Sequence, residues 1–329
     1  MRPRALVAPD SFKGTFDAPT VAGALAAGLA EAGWDADRCP VADGGEGTMA
    51  LLVEALGGEL VEARASDPLG RRIDCRFGLL DVGATAIVET AQASGLGLVA
   101  AGERDAWNAS TWGTGELMRA AAVTGAREIL VAVGGSAATD GGAGAIEAIR
   151  DAGGIGDARV VVLCDVETGY EDAARVFGPQ KGADAELVAR LAERLDAYAQ
   201  LLPKDPRGVR ATGCAGGLSG GLWAAFDAEL RPGAPAVLEA LGVDERMQAA
   251  QLVIAGEGCI DDQSFGGKIV GELVRRAQAA GVPIHAVAGT SELSEEAAAA
   301  AGLERVWTAS TLDEITAAGR ELGASVPGR

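Results

Sequence analysis

Ile129-Leu-Val-Ala-Val-Gly-Gly-Ser-Ala-Ala-Thr-Asp-Gly-Gly-Ala-Gly144 reads as a strand buried on both faces that runs into a glycine-rich turn opening a helix. Similar unbroken apolar runs predict strands at 5–8, 160–163, 252–255, 284–288 and 306–308. Amphipathic helices lie between them. Val21, Leu25 and Leu29 recur at helical spacing, as do Leu187, Leu191, Leu195 and Leu202, and Ile269, Val270, Leu273, Val274 and Ala277. Thr311-Leu-Asp-Glu314 has the form of a capping box opening a last helix. Alternation of this kind predicts an α/β, doubly wound fold built on parallel sheet.

One region breaks the pattern. Ile73, Cys75, Phe77 and Leu79 alternate with Asp74, Arg76 and Gly78, and Asp81-Val-Gly-Ala84 turns the chain into 85–90. Period-two alternation around a tight turn predicts an antiparallel hairpin, so the middle of the chain is expected to be a mixed-sheet α/β domain. The division this gives is a discontinuous domain, 1–59 plus 248–329, with a domain of 60–247 inserted in it.

The chain has 329 residues and a formal charge of −19, from 28 basic and 47 acidic side chains. That balance argues against nucleic acid or an anionic membrane surface as partner. The N-terminus lacks the apolar core of a signal peptide, and no apolar run approaches the ~18 residues of a membrane span, so a cytoplasmic protein is expected. Cys39, Cys75, Cys164, Cys214 and Cys259 are scattered and form no CxxC pair, which reads as buried thiols. His285 is the sole histidine and sits inside an apolar run, as a strand histidine rather than a triad base. Any metal must therefore take oxygen ligands, which favours Mg²⁺.

Glycine is twice as common as usual, 48 residues, and it clusters where strands meet helices. The clusters are 42–48, 134–144, 213–221 and 256–268. Such loops admit positive φ and bring bare amides to an anion at a helix N-terminus. No segment satisfies GxxxxGK[ST], because Lys268 in Gly266-Gly-Lys-Ile269 is followed by isoleucine, and no clean GxGxxG follows a strand. The residues by themselves describe an acidic phosphate-binding α/β protein compatible with Mg²⁺, and leave its reaction open.

Six runs in order resemble the bacterial type-1 glycerate kinase family: Ala8-Pro-Asp-Ser-Phe-Lys-Gly14, Ala42-Asp-Gly-Gly-Glu-Gly-Thr48, Asp67-Pro-Leu-Gly-Arg71, Gly134-Gly-Ser-Ala-Ala-Thr-Asp-Gly-Gly142, Phe177-Gly-Pro-Gln-Lys-Gly182 and Gly256-Glu-Gly…Asp261. The resemblance spans about 5–290. It implies a flavodoxin-like domain joined to a mixed α/β domain with the site in the cleft between them. It also implies transfer of the ATP γ-phosphoryl group to a hydroxyl of D-glycerate with Mg²⁺, with 2-phosphoglycerate the favoured product. The 149–172 stretch is shorter than the family pattern and lacks its Asn-Pro-Leu type run, which leaves a kinase for another small hydroxy acid as an alternative. A non-catalytic phosphate- or nucleotide-binding module is the alternative from another class.

Phosphoryl transfer needs positioning and neutralised charge more than covalent chemistry, and the candidate roles follow from that. Asp165, ending a buried strand, is the expected base, with Lys13 and Asp43 beside it in the catalytic set. Gly134, Gly135, Ser136, Thr139, Gly141 and Gly256 are expected to bind ATP, and Lys181 to hold phosphate. Asp10, Ser11, Gly44, Gly45 and Arg71 are expected at glycerate, with the Arg71 guanidinium clamping its carboxylate. Asp140, Glu257 and Asp261 are the candidate Mg²⁺ ligands.

Overall fold

The chain packs as two units, one formed by the segments up to Asp43 and from Ala234 onward, the other by Gly44–Gly233. The computed structural model describes residues 2–12, 14–266 and 268–326. The strands in chain order are β1 (Arg4–Pro9), β2 (Asp35–Arg38), β3 (Glu59–Ser66), β4 (Arg72–Leu80), β5 (Thr85–Glu89), β6 (Glu128–Ala132), β7 (Arg159–Cys164), β8 (Glu229–Pro232), β9 (Leu252–Ile260), β10 (Ile284–Ser291) and β11 (Val306–Thr308).

In the first unit the sheet order is β11-β10-β9-β1-β2, and every pairing is parallel. Numbered within the unit this is the 2-1-3-4-5 order of a flavodoxin-like fold. Leu252–Gly256 of β9 are buried without a break, as a strand covered on both faces must be. Helices Ala18–Glu31 and Leu312–Ser325 cover one face together, with Val21, Leu25, Leu29, Ile315 and Leu322 packed over Ala5, Val7, Leu252 and Ile254. The two helices touch backbone to backbone: a Cβ at Gly28 would stand 2.0 Å from the Thr316 carbonyl oxygen. The last helix opens on the expected capping box, Thr311 with Glu314.

The second unit holds a six-stranded mixed sheet, β3-β4-β5-β6-β7-β8. β3, β4 and β5 pair antiparallel and β5 to β8 parallel. The expected hairpin is β4–β5, joined through Asp81 and Val82, both at positive φ. Cys75, Phe77 and Leu79 point into the core with Leu117, Ile129, Val160 and Leu222.

The units join at 43/44 and 233/234, ahead of the 59/60 and 247/248 expected from periodicity. Two packings set these positions. Helix Thr48–Leu56 lies on β4, where Met49 and Val53 close over Gly78. At the other joint, Arg276 of the first unit pairs with Asp244 at 2.8 Å and donates to the Pro235 carbonyl at 3.4 Å. Of the five thiols, Cys39, Cys75, Cys164 and Cys214 are buried as expected. Cys259 is exposed; it lies past Gly256, where β9 has lost its pairing with β1 and keeps only that with β10. No helix among the described residues is long and apolar enough to cross a membrane.

Candidate active site

In the first unit the strand order reverses between β1 and β9, and open α/β sheets bind ligands outside the carboxyl ends of the strands at such a point. Pro9 stands in register with Gly256, and the Asp10 N–H donates to the Gly256 carbonyl at 2.8 Å. The switch point thus carries Asp10 and Ser11 on one strand end and Glu257 on the other. Asp10 is buried, and its carboxylate accepts the Ser11 N–H at 2.6 Å. The segment after β2 follows β1, with Val41 N–H donating to Pro9 O at 3.0 Å, and this brings Asp43 to the same sheet edge. Gly256 has no room for a side chain, since a Cβ would lie 2.9 Å from that of Pro9.

Glu257 and Asp261 meet around one buried hydroxyl. Ser264 Oγ donates to Glu257 Oε2 at 2.8 Å and lies 3.4 Å from Asp261 Oδ1, which also accepts the Ser264 N–H at 3.1 Å. Lys268 Nζ stands 3.8 Å from Glu257 Oε1. Lys13, expected in the catalytic set, lies outside the described residues.

In the second unit the carboxyl ends of the parallel strands hold Glu89 as the last residue of β5, Gly134 and Gly135 after β6 and the half-buried Asp165 after β7. Backbone closes on backbone here. A Cβ at Gly134 would be 2.7 Å from Gly45 Cα, and one at Gly44 would be 2.6 Å from Gly233 Cα. Glu89 is buried and accepts the Met49 N–H at 2.9 Å, taking the place of an N-cap for helix Thr48–Leu56. Burial raises its pKa, against the lowering effect of the Met49 and Gly47 N–H groups.

The loop after β6 is held from within. Ser136 Oγ accepts the Ala138 N–H at 3.1 Å, and the Gly141 N–H donates to Gly216 O at 3.0 Å. Three expectations change here. Lys181 is not displayed to a phosphate: it is fully buried behind the loop, and its Nζ donates to Ala138 O and, at 3.3 Å, to Thr139 Oγ1. Burial lowers its pKa to about 7, with Asp140 acting against the shift. Asp140 is not an open metal ligand. Its carboxylate accepts from Thr111 N at 2.8 Å, Thr111 Oγ1 at 2.9 Å, Gly142 N at 3.0 Å and Gly144 N at 3.2 Å, which makes it the cap joining two helix N-termini. Arg71 is not a free clamp either. Its Nε donates to Asp67 at 2.5 Å, and its Nη1 and Nη2 reach Glu103 and Leu98 O at 3.3 Å. Burial works to raise the pKa of Asp67, but the Arg71 backbone and side-chain donors outweigh it and hold the carboxyl low.

Glycines 213–221 serve packing rather than a cradle. Ala215, Gly216 and Gly217 kink the helix Cys214–Phe226 through left-handed φ, and a Cβ at Gly217 would meet the Tyr170 ring at 2.8 Å and Gly141 Cα at 2.9 Å.

The family model described as the glycerate kinase family matches residues 5–151 and 151–322. The chain belongs to the glycerate kinase family. It is 35% identical to a glycerate kinase of Bacillus subtilis, over 92% of this chain and 89% of that one. Identity to a glycerate 2-kinase of Escherichia coli is 36%, over 87% and 84%. A crystal structure provisionally assigned as glycerate kinase 2 from Salmonella typhimurium LT2 superposes with a TM-score of 0.84 at 33% identity, covering 99% of this chain and 98% of that one. Membership makes the protein an enzyme, a kinase that uses ATP.

Four residues that the sequence had not marked for a role lie beside the candidate residues: Glu89, Arg194, Ser264 and Lys268. Glu89 had a signal, since a carboxylate ends the apolar run 86–88, the rule that marked Asp165. Arg194 had none, because an arginine between the leucines of an amphipathic helix reads as a solvated charge.

Proposed function

We propose that the enzyme transfers the ATP γ-phosphoryl group to a hydroxyl of D-glycerate, giving 2-phosphoglycerate, in the cytoplasm. The observation that carries this reading is Asp165 at the carboxyl end of β7, on the sheet edge where Gly134 meets Gly45 and Gly44 meets Gly233 backbone to backbone. That edge offers a carboxylate base beside bare main chain, which suits a small hydroxy acid and a phosphate chain. The glycerate 2-kinase relative supports the 2-position.

In the reaction Asp165 accepts the proton of the attacking hydroxyl. The new bond forms between that oxygen and the γ-phosphorus, the bond to the β–γ bridging oxygen breaks, and ADP leaves with that electron pair. Gly134, Gly135, Ser136, Thr139 and Gly141 bind the nucleotide in this proposal, with Gly256 at the switch point. Asp10, Ser11, Asp43, Gly44 and Gly45 line the substrate. Mg²⁺ fits Glu257 and Asp261, two hard carboxylates sharing the Ser264 hydroxyl; no group of three acidic, histidine or cysteine side chains able to hold a metal occurs among the described residues. Mg²⁺ is commonly held by one or two carboxylates completed by phosphate and water. It would neutralise charge on the phosphates.

A coupled ADP-release assay with and without D-glycerate tests the reading, and phosphorus NMR assigns the product. Turnover that ignores D-glycerate would reject it. Asp165→Asn should lower kcat by ~10²–10⁴ while ATP still binds; near-normal turnover would remove Asp165 as the base.

A further inference from the structure

We propose that Lys181 and Arg194 are positioning residues that hold the 134–142 loop from its buried side and aim two of its amides at the nucleotide. This rests on the reading of that loop as an ATP site. Lys181 Nζ takes the Ala138 carbonyl, while Arg194 Nη2 takes the Thr139 carbonyl at 2.7 Å. Arg194 is fixed in turn: its Nη1 donates to Trp107 O at 2.6 Å, and its guanidinium stacks on the Trp107 ring at 4.5 Å. Arg190 stacks on the same ring at 4.5 Å.

The consequence follows from peptide geometry. In a trans peptide the C=O and N–H point in opposite directions. Turning the carbonyls of Ala138 and Thr139 toward the two cations therefore turns the N–H groups of Thr139 and Asp140 away from them. From Ala137 to Gly144 the other amides are occupied: Ala137 by Ser94 O, Ala138 by Ser136 Oγ, Gly141 by Gly216 O, Ala143 by Asp140 O, and Gly142 and Gly144 by the Asp140 carboxylate. Among the described residues the Thr139 and Asp140 N–H groups donate to no protein acceptor. Thr139 is buried, and buried amides are seldom left unpaired. Successive amides of this kind form an anion-binding concavity, and two cations behind them strengthen its pull on phosphate. Asp140 offsets part of that charge while capping the helix.

The test uses the full chain with ATP and MgCl₂. Isothermal calorimetry without glycerate gives ATP affinity for wild type, Lys181→Met, Lys181→Arg and Arg194→Lys, each checked for a cooperative melt. Lys181→Met should weaken ATP by about tenfold, and Lys181→Arg should recover most of that loss. Where turnover is measurable, KM for ATP should rise while KM for D-glycerate stays near wild type. Should Lys181→Met fail to fold, Arg194→Lys carries the test; it keeps the charge but loses the fork spanning Trp107 O and Thr139 O, and should weaken ATP several-fold. Wild-type ATP affinity in a folded variant, equal losses for both substrates, or no ATP binding by wild type would each overturn the inference. ATP binding that follows this pattern without D-glycerate-dependent turnover would reject the proposed reaction alone.

Discussion

Asp140 decides between a metal ligand and a structural cap, and the two roles predict opposite results when no metal is present. Its carboxylate serves the Thr111 N–H and O–H and the Gly142 and Gly144 N–H groups, and Thr111 Oγ1 passes the connection on to the Ala145 N–H at 3.1 Å. Thr111 is fully buried. Hydrogen bonds to a charged acceptor contribute ~1.5–3 kcal/mol each, and buried donors left unmade cost a similar amount. The four are not additive and water recovers some of them, so Asp140→Ala should cost ~4 kcal/mol and Asp140→Asn, which keeps one carbonyl oxygen, ~2 kcal/mol. For a unit of this size that is a drop in Tm of ~10 °C for the alanine variant. Urea and thermal unfolding in EDTA, without nucleotide, measure it. A metal ligand would behave otherwise. Removing its charge in the absence of metal would leave stability unchanged or raised, and the loss would appear in the Mg²⁺ dependence of turnover. An Asp140→Asn variant within ~0.5 kcal/mol of wild type, with a raised Mg²⁺ requirement, would refute the cap.

Two further outcomes follow from buried groups outside the reaction. His285 has a buried Nδ1 without a partner and lies edge-on to Trp307 at 5.2 Å; burial, with Arg305 adding to it, lowers its pKa to about 4. The folded value lies below the ordinary ~6.5, so the unfolded chain binds the extra proton. Stability is therefore complete above pH ~6.5 and falls by up to ~3 kcal/mol as pH drops to about 4. Urea midpoints across that range should show the fall in wild type and lose it in His285→Phe; equal slopes would refute the assignment. Tyr170 has a buried hydroxyl without a partner, packed over Gly141. Tyr170→Phe should therefore be neutral or stabilising by ~1 kcal/mol in urea unfolding, and a clear loss of stability would count against the unpaired hydroxyl.

The legible part of the fold was the part whose burial shows in side-chain type. β1, β6, β7, β9, β10 and β11 are apolar runs, and the β4–β5 hairpin declares itself through strict alternation. β2, β3 and β8 were not foreseen, because Asp35-Ala-Asp-Arg38, Glu59-Leu-Val-Glu-Ala-Arg-Ala-Ser66 and Glu229-Leu-Arg-Pro232 carry charge. Each lies at a sheet edge, where one flank stays wet. The same rule applies to the candidate site. Acids ending apolar strands, Asp10 and Asp165, could be picked out from the sequence. Whether a cation is displayed or buried could not, because Lys181 and Arg71 sit in short polar turns whose folding decides which way they face. Lys181 turned under the 134–142 loop, and Arg71 folded onto Asp67.

That difference changes how an acidic chain can attract a triphosphate. With a charge of −19, surface lysines would have to compete with many nearby carboxylates and with screening salt. The second unit follows another course. Two of its cations are withdrawn behind the loop, where Lys181 is buried and Arg194 is clamped between Trp107 and Thr139, and in the proposed arrangement their effect reaches the far side through oriented peptides. Burial reduces screening but charges a desolvation cost, visible in the lowered pKa of Lys181. Oriented peptides need no surface charge, so they leave the acidic exterior intact. They do require backbones to pack at contact distance, as the loop does against the kinked helix at Gly216 and Gly217, where a side chain would collide with Ala138, Thr139 or Tyr170. The glycine excess and the acidity are on this view two parts of one arrangement: glycine lets the main chain itself supply the positive surface that the side-chain composition lacks.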